Sequence, residues 1–261
     1  MGRGQLGTPR STRASTSARA GDRENLFLQG IRWVLDPAHY GGVDGVDTRV
    51  GQHLLISLGV LVVASIIAIP LGYVIGHTGR GRSLAIGASG AIRALPTLGL
   101  LIIIALIVNV GLLAPFIALV VLAIPSILAG AYSGFEAVDR RAIDAARAVG
   151  MTESQIVGRV EIPLGLPLLI GGLRTASLQV IATATLADYV GGGGLGHFIF
   201  AGVKTNDYPQ MLAGSIIVIL LAILSEVLFS SVQRLVIPAG VTAGRPQDVR
   251  VKSSRSRTAL G

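Results

Sequence analysis

An all-α, polytopic membrane protein with about five transmembrane helices is the fold class this sequence predicts, and three observations predict it. Hydrophobic residues make up 51% of the chain and charged ones only 14%, against roughly 25% charged in an average soluble domain. The mean hydropathy is +0.68. Two stretches, Leu54 to Gly76 and the 39 residues from Ala94 to Tyr132, carry no charged side chain, although about 20 apolar residues suffice for one crossing. Peptide groups find no water in hydrocarbon, so such stretches must close their own hydrogen bonds as helices.

Taken in order, residues 1–24 are rich in Ser, Thr, Gly and Arg and lack the apolar run of a secretory signal, which predicts a disordered basic tail. Residues 25–53 are expected to form an extracytoplasmic N-terminal segment. A transmembrane domain over 54–233 follows, with spans at about 54–76, 84–108, 112–132, 165–187 and 210–233. The Gly- and Arg-rich turn GHTGRGRS separates the first two spans, and NVG at Asn109 to Gly111 splits the long apolar run. Prolines 70, 96, 115 and 125 and several glycines fall within these spans. Membrane helices tolerate them where neighbours satisfy the backbone, and small residues allow close packing.

Between the third and fourth spans lies a charged loop, 133–163, containing DAARAVGMTESQIVGRVEIP. Its alanines favour a helix after Asp139 as N-cap, with Gly150 placed to end it in a left-handed conformation. Thr152 and Gln155 have the spacing of a capping box for a second short helix, and Pro163 is expected to stop that helix before the next span. A helix that merely lay on the bilayer would favour basic and aromatic residues. Between Val138 and Pro163 the acids Asp139, Asp144, Glu153 and Glu161 offset four arginines and no aromatic occurs, so a protein partner is the better reading.

Arginine bias orients the chain. With the charged loop cytoplasmic, the N-terminus lies outside and the 234–261 tail inside; Arg80, Arg82, Arg140, Arg141, Arg147, Arg159 and Arg234 then face the cytoplasm. Seven arginines between Met1 and Arg49 run against this assignment, but only Arg32 and Arg49 are near enough to the first span to weigh on it.

Several activities are excluded or disfavoured. The net charge of +8 comes from termini and loops without a basic, aromatic-interleaved stripe, so no nucleic acid partner is expected. No cysteine is present, and the four histidines are scattered, which predicts no metal site and places them at loops and helix ends. Neither lysine follows a glycine, so there is no Walker A loop for ATP; GGGGLG at Gly191 to Gly196 follows an apolar helix rather than a strand and is no dinucleotide site. No cofactor is implied. No nucleophile–base pair suggests an enzyme.

Asp144, Ala145, Ala146 and Gly150, followed by Val160, Ile162 and Pro163, resemble the EAA motif of ABC importer permeases. The chain departs from that pattern by Asp for Glu, Val for Ile and Ile for Leu, with the spacing intact. The resemblance implies a type I permease fold and a loop that docks on an ATP-binding cassette subunit. Further strings, IRWVLDPAHYGGVDG, GHTGRG, RALPTLGLL, GLRTA and LADYVGGGGLG, are similar to the osmoprotectant branch, which carries glycine betaine, choline or carnitine. Implied partners are a second permease copy or paralogue, two ATP-binding subunits, an extracytoplasmic solute-binding protein and the lipid bilayer of a bacterial cytoplasmic membrane. Amino-acid import and a non-transporting scaffold or sensor remain alternatives.

Candidate path-lining polar residues are Asn109, Thr183, Thr185, Asp188 and Tyr189, each equally readable as an interhelical hydrogen-bonding residue. Arg93, Arg174, Asp188 and Glu226 are ionisable groups in or near spans; the simpler expectation is that they lie at helix ends and reach the interface, or form structural pairs.

Overall fold

A computed structural model describes residues 25–236. The expected tail over 1–24 and all but the first residues of the 234–261 tail lie outside the described residues.

Helix α1 covers 25–35 and leads through a 3-10 turn at Pro37–His39 into α2, Val46–Thr78. The first span therefore begins inside the segment expected to precede it, because nothing between Val46 and His53 breaks a helix. Gly79 ends α2 in a left-handed conformation, its N–H donating to the Ile75 carbonyl. Next come α3 (Arg82–Ala94), α4 (Thr97–Val108) and α5 (Leu113–Glu136).

The expected span over 84–108 is not one straight helix: α3 and α4, which are long and apolar enough together to make a broken span or a re-entrant loop, are bent by 90° at Leu95 and Pro96. Proline crowds the preceding residue out of helical geometry. Leu95 accordingly takes φ −68° and ψ 132°.

After α5 come α6 (Arg140–Ala148) and α7 (Glu153–Ile156), a π-turn at Val157–Glu161, and α8 (Ile162–Thr183), which tightens into a 3-10 stretch at Ala184–Val190. Pro163 does not stop the segment as expected: helix runs without interruption from Glu153 to Val190. Proline lies in the first turn of α8, and the wider π-turn before it absorbs the missing N–H. The chain closes with α9 (Gly196–Thr205) and α10 (Tyr208–Val236).

Among the described residues, four helices are long and apolar enough to cross a membrane, or five spans if the bent pair α3–α4 counts as one. Helix α5 is central: 67% of its apolar window is buried, against 22–28% in the other three long helices. Its crossing with α8 brings backbone against backbone. A Cβ on Gly134 would lie 2.6 Å from the Gly165 carbonyl oxygen, and one on Gly130 would lie 2.8 Å from Gly172 Cα. Without hydrophobic driving force between helices in lipid, such backbone-to-backbone contact supplies the packing energy.

Candidate functional site

The loop between α5 and α8 is built almost entirely from local interactions. Asp139 caps α6, its carboxylate accepting from the Arg141 N–H at 2.9 Å. Val149 ends the helix, and Gly150 turns at φ 83°. The Gly150 N–H donates to the Arg147 carbonyl at 2.9 Å and the Met151 N–H to the Ala146 carbonyl at 3.1 Å, the paired bonds of a Schellman motif. Thr152 and Gln155 then form the predicted capping box at the start of α7.

Across the turn, Arg147 grips Glu153 through Nε–Oε1 at 2.8 Å and Nη2–Oε2 at 3.1 Å, while Asp144 stands 3.6 Å from the same guanidinium. The hydrogen bond from Arg147 holds the Glu153 carboxyl below the usual carboxylate range. Behind this face, Val138, Ile143, Ala146 and Ile156 form a small core that Met151 and Val160 complete. Two short helices are thereby fixed at one angle.

The predicted loop residues divide into two sets. Asp144, Ala145, Gly150 and Pro163 are exposed, whereas Ala146 is buried, and Val160 and Ile162 are half-buried. Ala146 and Val160 thus support the loop from within its core. Space around Gly150 is open: a Cβ there would meet nothing within 4 Å. Sequence reasoning missed Val149, which is 78% exposed beside Ala145, Ala148 and Gly150. An apolar residue at the C-cap, just before the turning glycine, was the available signal.

A second missed pair ties the loop to α2. His77, in the last turn of α2, bonds through Nδ1 to Glu161 Oε2 at 2.7 Å, and its Nε2 lies 3.8 Å from Glu153. Glu161 is buried within the π-turn. Arg82 of α3 pairs with Glu136 of α5 at 2.8 Å. The loop, the end of α2 and the start of α3 therefore share one end of the bundle.

The path candidates are not gathered into one site. Asn109 is exposed at the end of α4 with φ 74°. Thr183 and Thr185 donate to carbonyls of their own helical segment, at Gln179 and Ala182, so the interhelical reading does not hold for them. Asp188 lies 3.7 Å from His197, and Tyr189 is exposed beside the Phe200 ring.

The charged groups expected near helix ends include a mid-helix pair. Arg174 donates to Glu226 through Nε at 2.7 Å and through a second, very short contact, joining α8 to α10. His53 also departs from its expected position, being fully buried in α2. Its Nε2 lies 3.0 Å from the Ile181 carbonyl and its Nδ1 accepts from the Leu195 N–H at 3.3 Å. These two bonds fix a neutral imidazole protonated on Nε2. The GGGGLG turn is thus packed onto α2 as a structural latch. Among the described residues, no group of three His, Cys, Asp or Glu side chains is arranged to hold a metal.

Comparison with known proteins gives this arrangement a context. Residues 58–239 match the sequence pattern of the family described as binding-protein-dependent transport system inner membrane component. The chain is 33% identical over 193 residues to the glycine betaine/carnitine/choline transport system permease protein OpuCB of Bacillus subtilis, covering 74% of this chain and 89% of that one. It is 34% identical over 194 residues to the carnitine transport permease protein OpuCB of Listeria monocytogenes, covering 74% and 89%. Among solved structures, it resembles a chain of the inward-facing MetNI methionine ABC transporter with a TM-score of 0.63 at 23% identity, over 72% of this chain and 94% of that one. That likeness concerns the fold, which is the type I importer permease fold expected from the motif. With the family pattern spanning most of the apolar region and the loop geometry in place, the chain belongs to the binding-protein-dependent transport system inner membrane components, the membrane-spanning permease subunits of ABC importers.

Proposed function

We propose that this permease carries a compatible solute of the glycine betaine, choline or carnitine class, driven by ATP hydrolysed on separate subunits. The observation that carries the substrate class is the set of permeases at 32–34% identity whose names specify these solutes. A second permease copy or paralogue, two ATP-binding cassette subunits and an extracytoplasmic binding protein complete the assembly. Trp33 is the only tryptophan, and aromatic residues form 5% of the chain. Since aromatic cages are the usual means of tight quaternary ammonium binding, high-affinity capture falls to the binding protein.

Energy enters through the loop around Gly150. Ala145, Ala148, Val149 and Gly150 offer a small apolar surface on which a partner's backbone can sit closely, and Asp144 fixes its orientation. Because Arg147–Glu153, the capping box and the core behind them make the two short helices one body, a push on the tip cannot be absorbed locally. It passes along the uninterrupted helix from Glu153 to Val190, and through Glu161–His77 to α2. Movement of α8 must carry α5 with it, since their backbones touch at Gly134–Gly165. In this reading the loop end is cytoplasmic, the GGGGLG end external, and the N-terminus outside; the arginines at 80, 82, 140, 141, 147 and 159 clustering toward the loop end support that orientation.

Reconstitution with its ATPase and binding protein tests the assignment. ATP-dependent uptake of labelled glycine betaine, choline or carnitine, with none of methionine, is the expected result. Methionine uptake without betaine uptake would overturn the substrate class, and no ATP-driven uptake of any solute would favour a scaffold.

A further inference from the structure

Arg93 stands apart from the other charged residues of the spans. The remaining mid-helix ion pair, Arg174–Glu226, is self-neutralising, whereas among the described residues Arg93 has no carboxylate within 4.0 Å. Its only hydrogen bond there is a long one, 3.5 Å to Ser126 Oγ. Ser126 in turn donates to Gln179 Oε1 at 3.3 Å, and Gln179 donates to the Leu122 carbonyl. One arginine with five donors thus spends a single weak bond and leaves the rest of its planar fork free.

Depth matters here. Ser126 lies ten residues from the Glu136 end of α5 and thirteen from the Leu113 end, about 15 and 20 Å at 1.5 Å per residue. Arg93 is therefore held near mid-membrane, and it is exposed on the surface of the single chain. A charge at that depth faces a water-filled groove or a neighbouring subunit, because hydrocarbon would cost several kcal/mol. The groove is present: a cavity of about 250 Å³ is lined by Ser89, Gly90, Arg93, Pro125 and Tyr132. It opens beside the 90° bend between α3 and α4.

We propose that this cavity is a low-affinity transit site that binds the carboxylate of a small zwitterion on Arg93, with Ser89 as an additional donor and the Tyr132 ring accepting the quaternary ammonium end. The site takes the carboxylate bidentately, the geometry for which guanidinium is suited. Cation–π contact with Tyr132 supplies the second pole. No acid lines the cavity, so a solute with an ammonium group and no carboxylate gains only the aromatic contact. This proposal rests on the osmoprotectant reading for its substrate, but its electrostatic core does not.

The absence of native cysteine allows a direct test. Ser89→Cys places one thiol in the cavity of the reconstituted complex, and its labelling by anionic sulfonatoethyl and cationic trimethylammonioethyl methanethiosulfonates is timed on the permease. With Arg93 present, the anionic-to-cationic rate ratio is expected to exceed that of Ser89→Cys/Arg93→Gln by about tenfold, one unit charge acting at contact distance. Arg93→Lys should retain most of it. Glycine betaine should slow labelling in the Arg93 background and not in the Gln background, and choline should slow it less. A ratio unchanged by Arg93→Gln would overturn the site, as would equal protection by betaine and choline. Should uptake of every osmoprotectant fail while the ratio and its loss persist, the substrate class falls and the anion site stands.

Discussion

The loop between α5 and α8 and the polar groups within the bundle solve the same problem, holding charge in place, in opposite ways. At the tip of the loop the fixing bonds are local: Asp139 to Arg141, Thr152 to Gln155, and Arg147 to Glu153, six residues apart; its base, through Glu161 and His77, is tied to a distant helix. Within the bundle, Arg93 reaches Ser126, Arg174 reaches Glu226, and His53 reaches Leu195, 142 residues away. A loop built from local bonds keeps its shape while it moves as a unit against a partner. Pairs between helices, in contrast, report on how those helices sit relative to one another, and change only when the bundle does.

Removing a long-range pair should therefore have the largest effect on stability. Glu226→Ala leaves Arg174 without its partner at mid-helix, and a loss of about 3 kcal/mol is expected, the lower end for a broken pair withdrawn from water. Thermal unfolding in detergent measures it. Arg174→Met/Glu226→Met should recover most of that loss; a double variant as unstable as Glu226→Ala would show that the charges themselves are not what the helices need.

Next comes the α5–α8 crossing. Gly134→Ala puts a methyl group about 2.6 Å from the Gly165 carbonyl oxygen, forcing the backbones apart at a cost of about 1–3 kcal/mol. The same unfolding assay reads this change, and a neutral result would mean that α8 moves independently of α5. That outcome would break the proposed route from loop to bundle.

Smallest is the local pair. Glu153→Gln should change stability little near pH 7, since both partners are exposed. Because the folded-state carboxyl is depressed, its contribution is full above the ordinary Glu value of 4.5 and is lost as pH falls through the depressed value. Acid unfolding of the wild type should therefore begin with this contribution intact at pH 5, and the Gln variant should show a shallower acid limb. A variant with an altered response between pH 6 and 8 would contradict the assignment to Glu153.

The loop was legible in the sequence for the reason that distinguishes it physically. Caps, boxes and turning glycines are rules about residues a few positions apart, so Asp139, Gly150 and the Thr152–Gln155 pair could be placed from spacing alone. Even there Val149 was missed, and spacing alone did not separate Ala146, whose side chain closes the inner core, from the exposed Ala145 beside it. The break at Leu95–Pro96 was also a local signal, the steric demand of proline on its predecessor, but it was hidden by the continuous apolar run around it. The expected halt at Pro163 failed for the complementary reason: a π-turn can absorb a missing donor, and nothing in composition announces one.

What the sequence did not yield was the pairing of distant polar groups. Arg174 and Glu226 could be named as costly, but not as partners, and His53 could not be told from a helix-end histidine without knowing that Leu195 folds back upon it. The path candidates suffered most. Thr183 and Thr185 turn their hydroxyls to their own backbone, while Arg93, with its open groove, was weighed as an interfacial residue.

The central claim is that the exposed tip at Ala145, Val149 and Gly150 is where the ATP-binding subunit engages. Its most direct test is ATP-driven uptake and binding-protein-stimulated ATPase activity of the reconstituted complex carrying Ala145→Arg or Gly150→Arg. Ala145 is exposed in a regular helix, so its substitution adds bulk without backbone strain, while Gly150→Arg adds strain at φ 83° as well. Both variants are expected to insert and fold, yet to show uptake at background and no stimulation of ATP hydrolysis. Wild-type uptake and stimulation in both would contradict the account.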